Sequence, residues 1–164
     1  MTAQPELAVT LVKQLIDAQK TLSTAESCTG GLIAKMVTDV AGCSSVFFGG
    51  CVTYTNEIKT NLLGVDPHIF EADTEVSAAC SKAMAEGIRH RLGTDFGVST
   101  TGYAGPTGGT EKNPVGTVYI SVATPTETIC RRIQAPNGST RKQIRNLAAT
   151  AALQMVSEAL QSNN

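Results

Sequence analysis

Residues 21–40 read TLSTAESCTGGLIAKMVTDV. The first six, Thr21 to Glu26, are short and β-tolerant, whereas Leu32, Ile33, Met36, Val37 and Val40 return at helical spacing. Between them, Ser27-Cys28-Thr29-Gly30-Gly31 is too polar and too glycine-rich to extend either element. The stretch therefore predicts a strand, a tight turn and a helix ending near Gly42.

Upstream, Leu7, Val9, Leu11, Val12, Leu15 and Ile16 predict an amphipathic helix over residues 4–19. Downstream, residues 46–55 predict a second strand, bulged at Gly49-Gly50, and residues 56–63 a short helix stopped by Gly64. Val76, Cys80, Met84, Ile88 and Leu92 fall near every fourth position and predict a helix over 76–92. A buried strand over 96–101 then opens into the glycine-rich loop from Gly102 to Gly109. Residues 115–123 and 126–134 are β-rich and joined through Thr124-Pro125, as in a hairpin. Ile144, Ala148, Ala151, Met155 and Ala159 share one face of a last helix over 139–161, with Ser139 as its N-cap. Early alternation followed by a hairpin predicts the α/β class. The expected architecture is one domain over residues 1–164, an α/β/α sandwich around a mixed, mostly parallel sheet with a C-terminal β-hairpin.

Composition narrows the partners. The 164 residues carry a formal net charge of −1 and only 4% aromatics. Nucleic-acid binders show a basic stripe or stacking aromatics, so no nucleic acid is expected and a small molecule is. Five cysteines without a C-x-x-C pair argue against a disulfide framework or zinc site, and two histidines against a histidine-rich metal centre. Neither a signal-peptide core nor a run long enough to span a bilayer is visible, so the expected setting is the reduced cytoplasm, away from membranes. The sequon Asn137-Gly138-Ser139 is then a chance match.

Ser27 heads the candidates for chemistry. Ligands of open α/β sheets gather at strand C-terminal ends, where helix N-termini offer amides to phosphates and oxyanions. A hydroxyl there can act as a nucleophile if a base takes its proton. The competing reading is that Ser27 or Thr29 simply caps the helix. Neither His68 nor His90 adjoins a polar cluster, so a Ser–His–Asp triad is poorly supported, and a desolvated lysine is the usual substitute. Composition does not choose among seven lysines, most of which should be solvated; Lys59 is attractive because it follows a strand end and Tyr54. The Ser-x-x-Lys match at Ser139 to Lys142 lacks the partner motifs of penicillin-recognising enzymes. The loop from Gly102 to Gly109 offers a possible anion nest, or an ordinary loop. Arg141 and Arg145, one helical turn apart, suit a phosphate or carboxylate as well as they suit a solvated face.

Taken together, the segments resemble the CinA C-terminal-domain family. The resemblance rests on Ala25-Glu26-Ser27-Cys28-Thr29-Gly30-Gly31, on Val52-Thr53-Tyr54 with Asn56 to Lys59, on Gly102 to Gly109 with Pro114-Val115-Gly116-Thr117-Val118, and on Arg141 with Arg145. The matches run in the family's order along nearly the whole chain. The resemblance implies an α/β fold, no metal or cofactor, and a tendency toward homo-oligomers. It also implies the activity of the family's free-standing members, which deamidate nicotinamide mononucleotide to nicotinate mononucleotide and ammonia by a Ser–Lys mechanism. By position, Ser27 is then the nucleophile, Lys59 the base, and Tyr54 an aid to proton transfer or to the charge beside it. Thr29, Gly30, Gly31 and Gly105 would hold the oxyanion or phosphate through their amides, and Arg141 or Arg145 would place the nucleotide.

The chain departs from the family's pattern at a few positions. Tyr103 stands where a small aliphatic residue is frequent, Thr107 where Asp is common, and Glu75 and Ala78 replace the outer residues of an A-V-S-E segment. These substitutions bear on substrate choice and leave two alternatives: a nucleotide-binding module without turnover, and an interaction protein of competence or DNA damage. The near-neutral charge counts against the latter.

Overall fold

The structure, a computed structural model, describes residues 4–163. Its centre is a five-stranded sheet in the order β2-β1-β3-β4-β5, formed by β1 (Leu22–Glu26), β2 (Phe47–Val52), β3 (Phe96–Gly102), β4 (Thr117–Ala123) and β5 (Thr128–Gln134). Strand β1 pairs in parallel with β2 and β3, whereas β4 pairs antiparallel with both β3 and β5. Only β4 therefore runs against the other four, which is the mixed, mostly parallel sheet expected. The hairpin closes with Ala123 opposite Thr128.

Helices cover both faces. On one lie α1 (Gln4–Ala18), α2 (Leu32–Thr38) and α6 (Arg141–Ser162); on the other lie α3 (Asn56–Leu63), α4 (Pro67–Ala72) and α5 (Ala78–Leu92). The α1 positions Ala8, Leu11, Val12 and Leu15 pack with Ile144, Ala148, Ala152 and Val156 of α6 over Leu22, Phe96, Val98, Val118, Ile120 and Val122. Each Val, Leu, Ile or Phe among them stabilises the fold by about 1.5–3 kcal/mol on leaving water, before entropy is counted. The side chains alternating with these point at α5, and they are small: Ser81 of α5 bonds Ser99 at 3.1 Å and Ser121 at 2.8 Å. Gly97 lies under the same helix, where a Cβ would come within 2.4 Å of the Ala85 carbonyl. The sheet thus has an apolar face for α1 and α6 and a small, polar one onto which α5 settles closely.

Several boundaries differ from the sequence reading. The bulge in β2 falls at Phe48, because Leu22 pairs with Phe47 and Ser23 with Gly49. The last helix is capped by Thr140 instead of Ser139, in a reciprocal capping box with Gln143. Ser139 turns back to the Pro136 carbonyl. The short helix α4, capped by Asp66, was not anticipated. No helix among the described residues is long and apolar enough to cross a membrane.

Candidate active site

The parallel strands β1, β2 and β3 end together, and the chain leaves each at the same edge of the sheet. Ser27 follows β1 directly; its N–H donates to the Thr100 carbonyl of β3, while Thr53 N–H at the end of β2 donates to Glu26 O. The nucleophile candidate is therefore fixed between two strand ends. Thr55 caps α3 by accepting from Ile58 N–H, and Lys59, one turn in, reaches back over the sheet edge. Its Nζ lies 3.1 Å from Ser27 Oγ, 3.0 Å from Thr53 O and 3.2 Å from Tyr54 O. Residues 32 positions apart thus form a hydroxyl–amine pair.

Lys59 is 0% exposed and has no carboxylate within ion-pairing distance among the described residues. Burial disfavours its charged form and holds its pKa below the ordinary lysine value, partly offset by the nearby Glu75 carboxylate. A neutral amine has two N–H donors and one lone pair. With the two carbonyls taking the N–H groups, the lone pair is left to accept from the Ser27 hydroxyl. Cys28, beside Ser27, is no rival nucleophile, because burial pushes its thiol up to about 12.

These groups open into a pocket of about 200 Å³ that Ser27, Cys28, Tyr54, Lys59, Gly105 and Arg141 help to line. Arg141 donates to the Gly105 carbonyl at 2.9 Å and to the Tyr54 hydroxyl at 2.9 Å. Tyr54 therefore serves the Ser–Lys pair through its backbone carbonyl, and its hydroxyl is engaged by the arginine. A hydroxyl that accepts from a guanidinium at the pocket rim belongs with the binding groups more than with proton transfer.

Thr29, Gly30, Gly31 and Arg145 are brought close but do not line this pocket. Arg145 reaches under the turn and donates to Cys28 O at 3.1 Å and Thr29 O at 2.8 Å. Thr29 is 0% exposed, and its hydroxyl donates to Glu26 Oε1 at 2.6 Å. Gly30 and Gly31 hold φ of +59° and +96°, which glycine tolerates at little cost. Gly31 is the α2 N-cap, so neither Ser27 nor Thr29 caps that helix.

The side chain that satisfies the first amides of α2 was missed in the sequence. Glu26, 1% exposed, accepts from Ile33 N–H at 2.9 Å and Ala34 N–H at 3.0 Å. The α2 N-terminus is thus filled by a carboxylate of the chain itself, and those two amides are not offered to a substrate. The available signal was an acidic residue seven and eight positions before the amides it caps. Glu75, Tyr103 and Thr107, three of the departures noted above, all lie on the pocket wall. A wider groove of about 370 Å³ between α1, α2 and α6 shares no lining residue with this pocket. Among the described residues no group of three or more His, Cys, Asp or Glu gathers as metal ligands would.

A three-layer α/β fold with a buried Ser–Lys pair at its parallel strand ends defines the class. The model of the CinA C-terminal domain matches residues 4–160, and the chain belongs to that family. A CinA-like protein of Myxococcus xanthus is 45% identical over 154 residues, covering 93% of this chain and 36% of that protein. A CinA-like protein of Shewanella denitrificans is 47% identical over 154 residues, covering 94% and 36%. The chain thus spans about a third of the length of the curated relatives it matches. Among solved structures, a competence/damage-inducible protein of Agrobacterium tumefaciens superposes with a TM-score of 0.92 at 35% identity, covering 98% of this chain and 99% of that one. A CinA superfamily protein of Klebsiella pneumoniae does so with a TM-score of 0.93 at 30% identity, covering 98% and 99%.

Proposed function

We propose that this chain is an amidohydrolase that converts nicotinamide mononucleotide to nicotinate mononucleotide and ammonia. The observation that carries the reading is the buried Lys59 amine 3.1 Å from the Ser27 hydroxyl at a pocket that also holds Arg141. Ser27 Oγ attacks the carboxamide carbon while its proton passes to Lys59 Nζ. The N–H groups of Gly105 and Cys28, which meet no backbone acceptor among the described residues, donate to the developing oxyanion. Lys59 returns the proton to the departing nitrogen, which leaves as ammonia, and Ser27 keeps the acyl group as an ester. Water then attacks the ester, giving its proton to Lys59; the carboxylate leaves and Ser27 regains its proton. The cationic pyridinium beside the amide draws electrons from the carbon under attack. Arg141 supports the phosphate with the N–H groups not already given to Gly105 and Tyr54.

The test is to incubate the protein with nicotinamide mononucleotide and follow ammonia and nicotinate mononucleotide, with Ser27→Ala and Lys59→Ala alongside. Turnover in the parent and a loss of roughly a thousandfold or more in both variants supports the reading. Tyr103 and Thr107 on the pocket wall favour one second reading, a nucleotide-binding module without turnover. Tight binding with no ammonia released would select it.

A further inference from the structure

Arg141 reaches the pocket from α6, and Glu75 from the segment just before α5, so the two charges enter from opposite layers of the sandwich. Glu75 is held there by its backbone: its carbonyl accepts from Thr101 Oγ1 at 2.7 Å, and the next carbonyl, of Val76, accepts from Asn113 Nδ2 at 3.1 Å. Thr74, immediately before it, has a φ of +69°, a conformation that a β-branched residue adopts only under constraint. The segment is thus fixed on both sides, while the Glu75 carboxylate has no hydrogen bond or ion pair among the described residues. Tyr103 lines the same pocket, and burial, with the charge of Glu75 second, raises its pKa. A carboxylate without a partner beside a neutral aromatic ring is a receptor for an organic cation, the ring through its negative face and the carboxylate through its charge.

We infer that Glu75, with Tyr103, is the cation-recognising wall of the pocket and that this chain selects zwitterionic ligands, with a cationic aromatic ring at Glu75 and an anionic group at Arg141. The inference rests on the reading that nicotinamide mononucleotide is the substrate and adds how its ring charge is read. A neutral ring of the same shape keeps the Arg141 contact and gains nothing from Glu75.

The experiment measures binding by calorimetry to the Ser27→Ala protein, so that turnover does not intrude. The probes are nicotinamide mononucleotide and its 1,4-dihydro form, whose ring is neutral. Ser27→Ala is expected to bind the cationic form about tenfold more tightly. Adding Glu75→Gln keeps the side chain's shape and should bring the two forms within about twofold by weakening only the cationic one. Equal weakening of both forms, or an unchanged preference, overturns the inference. Parent turnover with an unaltered ring preference in Glu75→Gln sinks this inference alone. Absence of both turnover and binding sinks the substrate reading with it.

Discussion

An ammonium at Lys59 donates all three protons, to Thr53 O, Tyr54 O and Ser27 Oγ; an amine keeps the first two bonds and reverses the third. That reversal ties activity and stability to one titration. The folded pKa of Lys59 is lowered by burial, whereas the unfolded chain keeps the ordinary value. Between the two, the unfolded state binds more protons, so stability rises with pH through that window and is flat below and above it. Catalysis needs the amine, so kcat/KM rises with pH through the lowered folded value. Lys59→Met should abolish turnover and flatten the pH dependence of the urea midpoint across the same window. Measuring both curves on parent and variant checks the assignment, and a slope that survives in Lys59→Met would place the titration elsewhere. Glu26 gives a second prediction. Glu26→Ala strands the Ile33 and Ala34 amides at the start of α2, and each buried donor left unpaired costs about 1–3 kcal/mol. Urea unfolding should show that loss, with Glu26→Gln recovering part of it because its amide oxygen still accepts.

Helix α6 brings two arginines one turn apart to one edge of the sheet, and the structure gives them different work. Arg141 touches Gly105 and Tyr54 inside the pocket, whereas Arg145 holds the carbonyls of Cys28 and Thr29 from behind the turn. Arg141→Ala should therefore raise KM with the unfolding midpoint nearly unchanged. Arg145→Ala should lower stability by about 1–3 kcal/mol, the range for a charged hydrogen bond and its stranded acceptors. It should also reduce kcat with KM little altered, because the turn presenting Ser27 loosens. Steady-state kinetics and urea titration on the pair separate the roles; a matching rise of KM in both would not fit. Spacing showed that both arginines share a face but not which neighbour each would meet, since that depends on how α6 docks on the sheet. The strand–turn–helix at 21–40 was legible because strand, glycine turn and helical periodicity follow one another. Helix α4 was not, because its six residues are too few to show a period and none is buried. The cap at Thr140 was legible in principle, since Thr140 and Gln143 have the spacing of a capping box.

At the scale of the whole molecule, the pocket depends on how closely α5 lies on the sheet. Its walls come from both layers: Arg141 starts α6 on one side, and Glu75 and Val76 lead into α5 on the other. The first layer is set by apolar packing, which sequence periodicity displays. The second is set by residues that display nothing of the kind. Gly97, Ser99, Ser121 and Ser81 sit in strands and a helix where serine and glycine are poor formers, and their value is that they are small. That is why residue spacing offered Ser27 and the resemblance Lys59, whereas neither displayed the wall that Glu75 contributes. Gly97→Ala tests the dependence. A Cβ there would lie 2.4 Å from Ala85 O and 2.8 Å from Arg89 Cβ, so α5 must withdraw from β3. Overpacking of this kind costs about 1–3 kcal/mol. Ser77, two residues past Glu75, is the α5 N-cap, so a withdrawn helix carries the Glu75 wall away from Arg141 and widens the pocket. The expected outcome is a lower urea midpoint together with weaker nucleotide binding, while the Ser27–Lys59 pair, built on β1 and α3, still forms. Loss of stability with binding unchanged would show instead that the pocket wall is held by Thr101 and Asn113 alone, independently of the seat of α5.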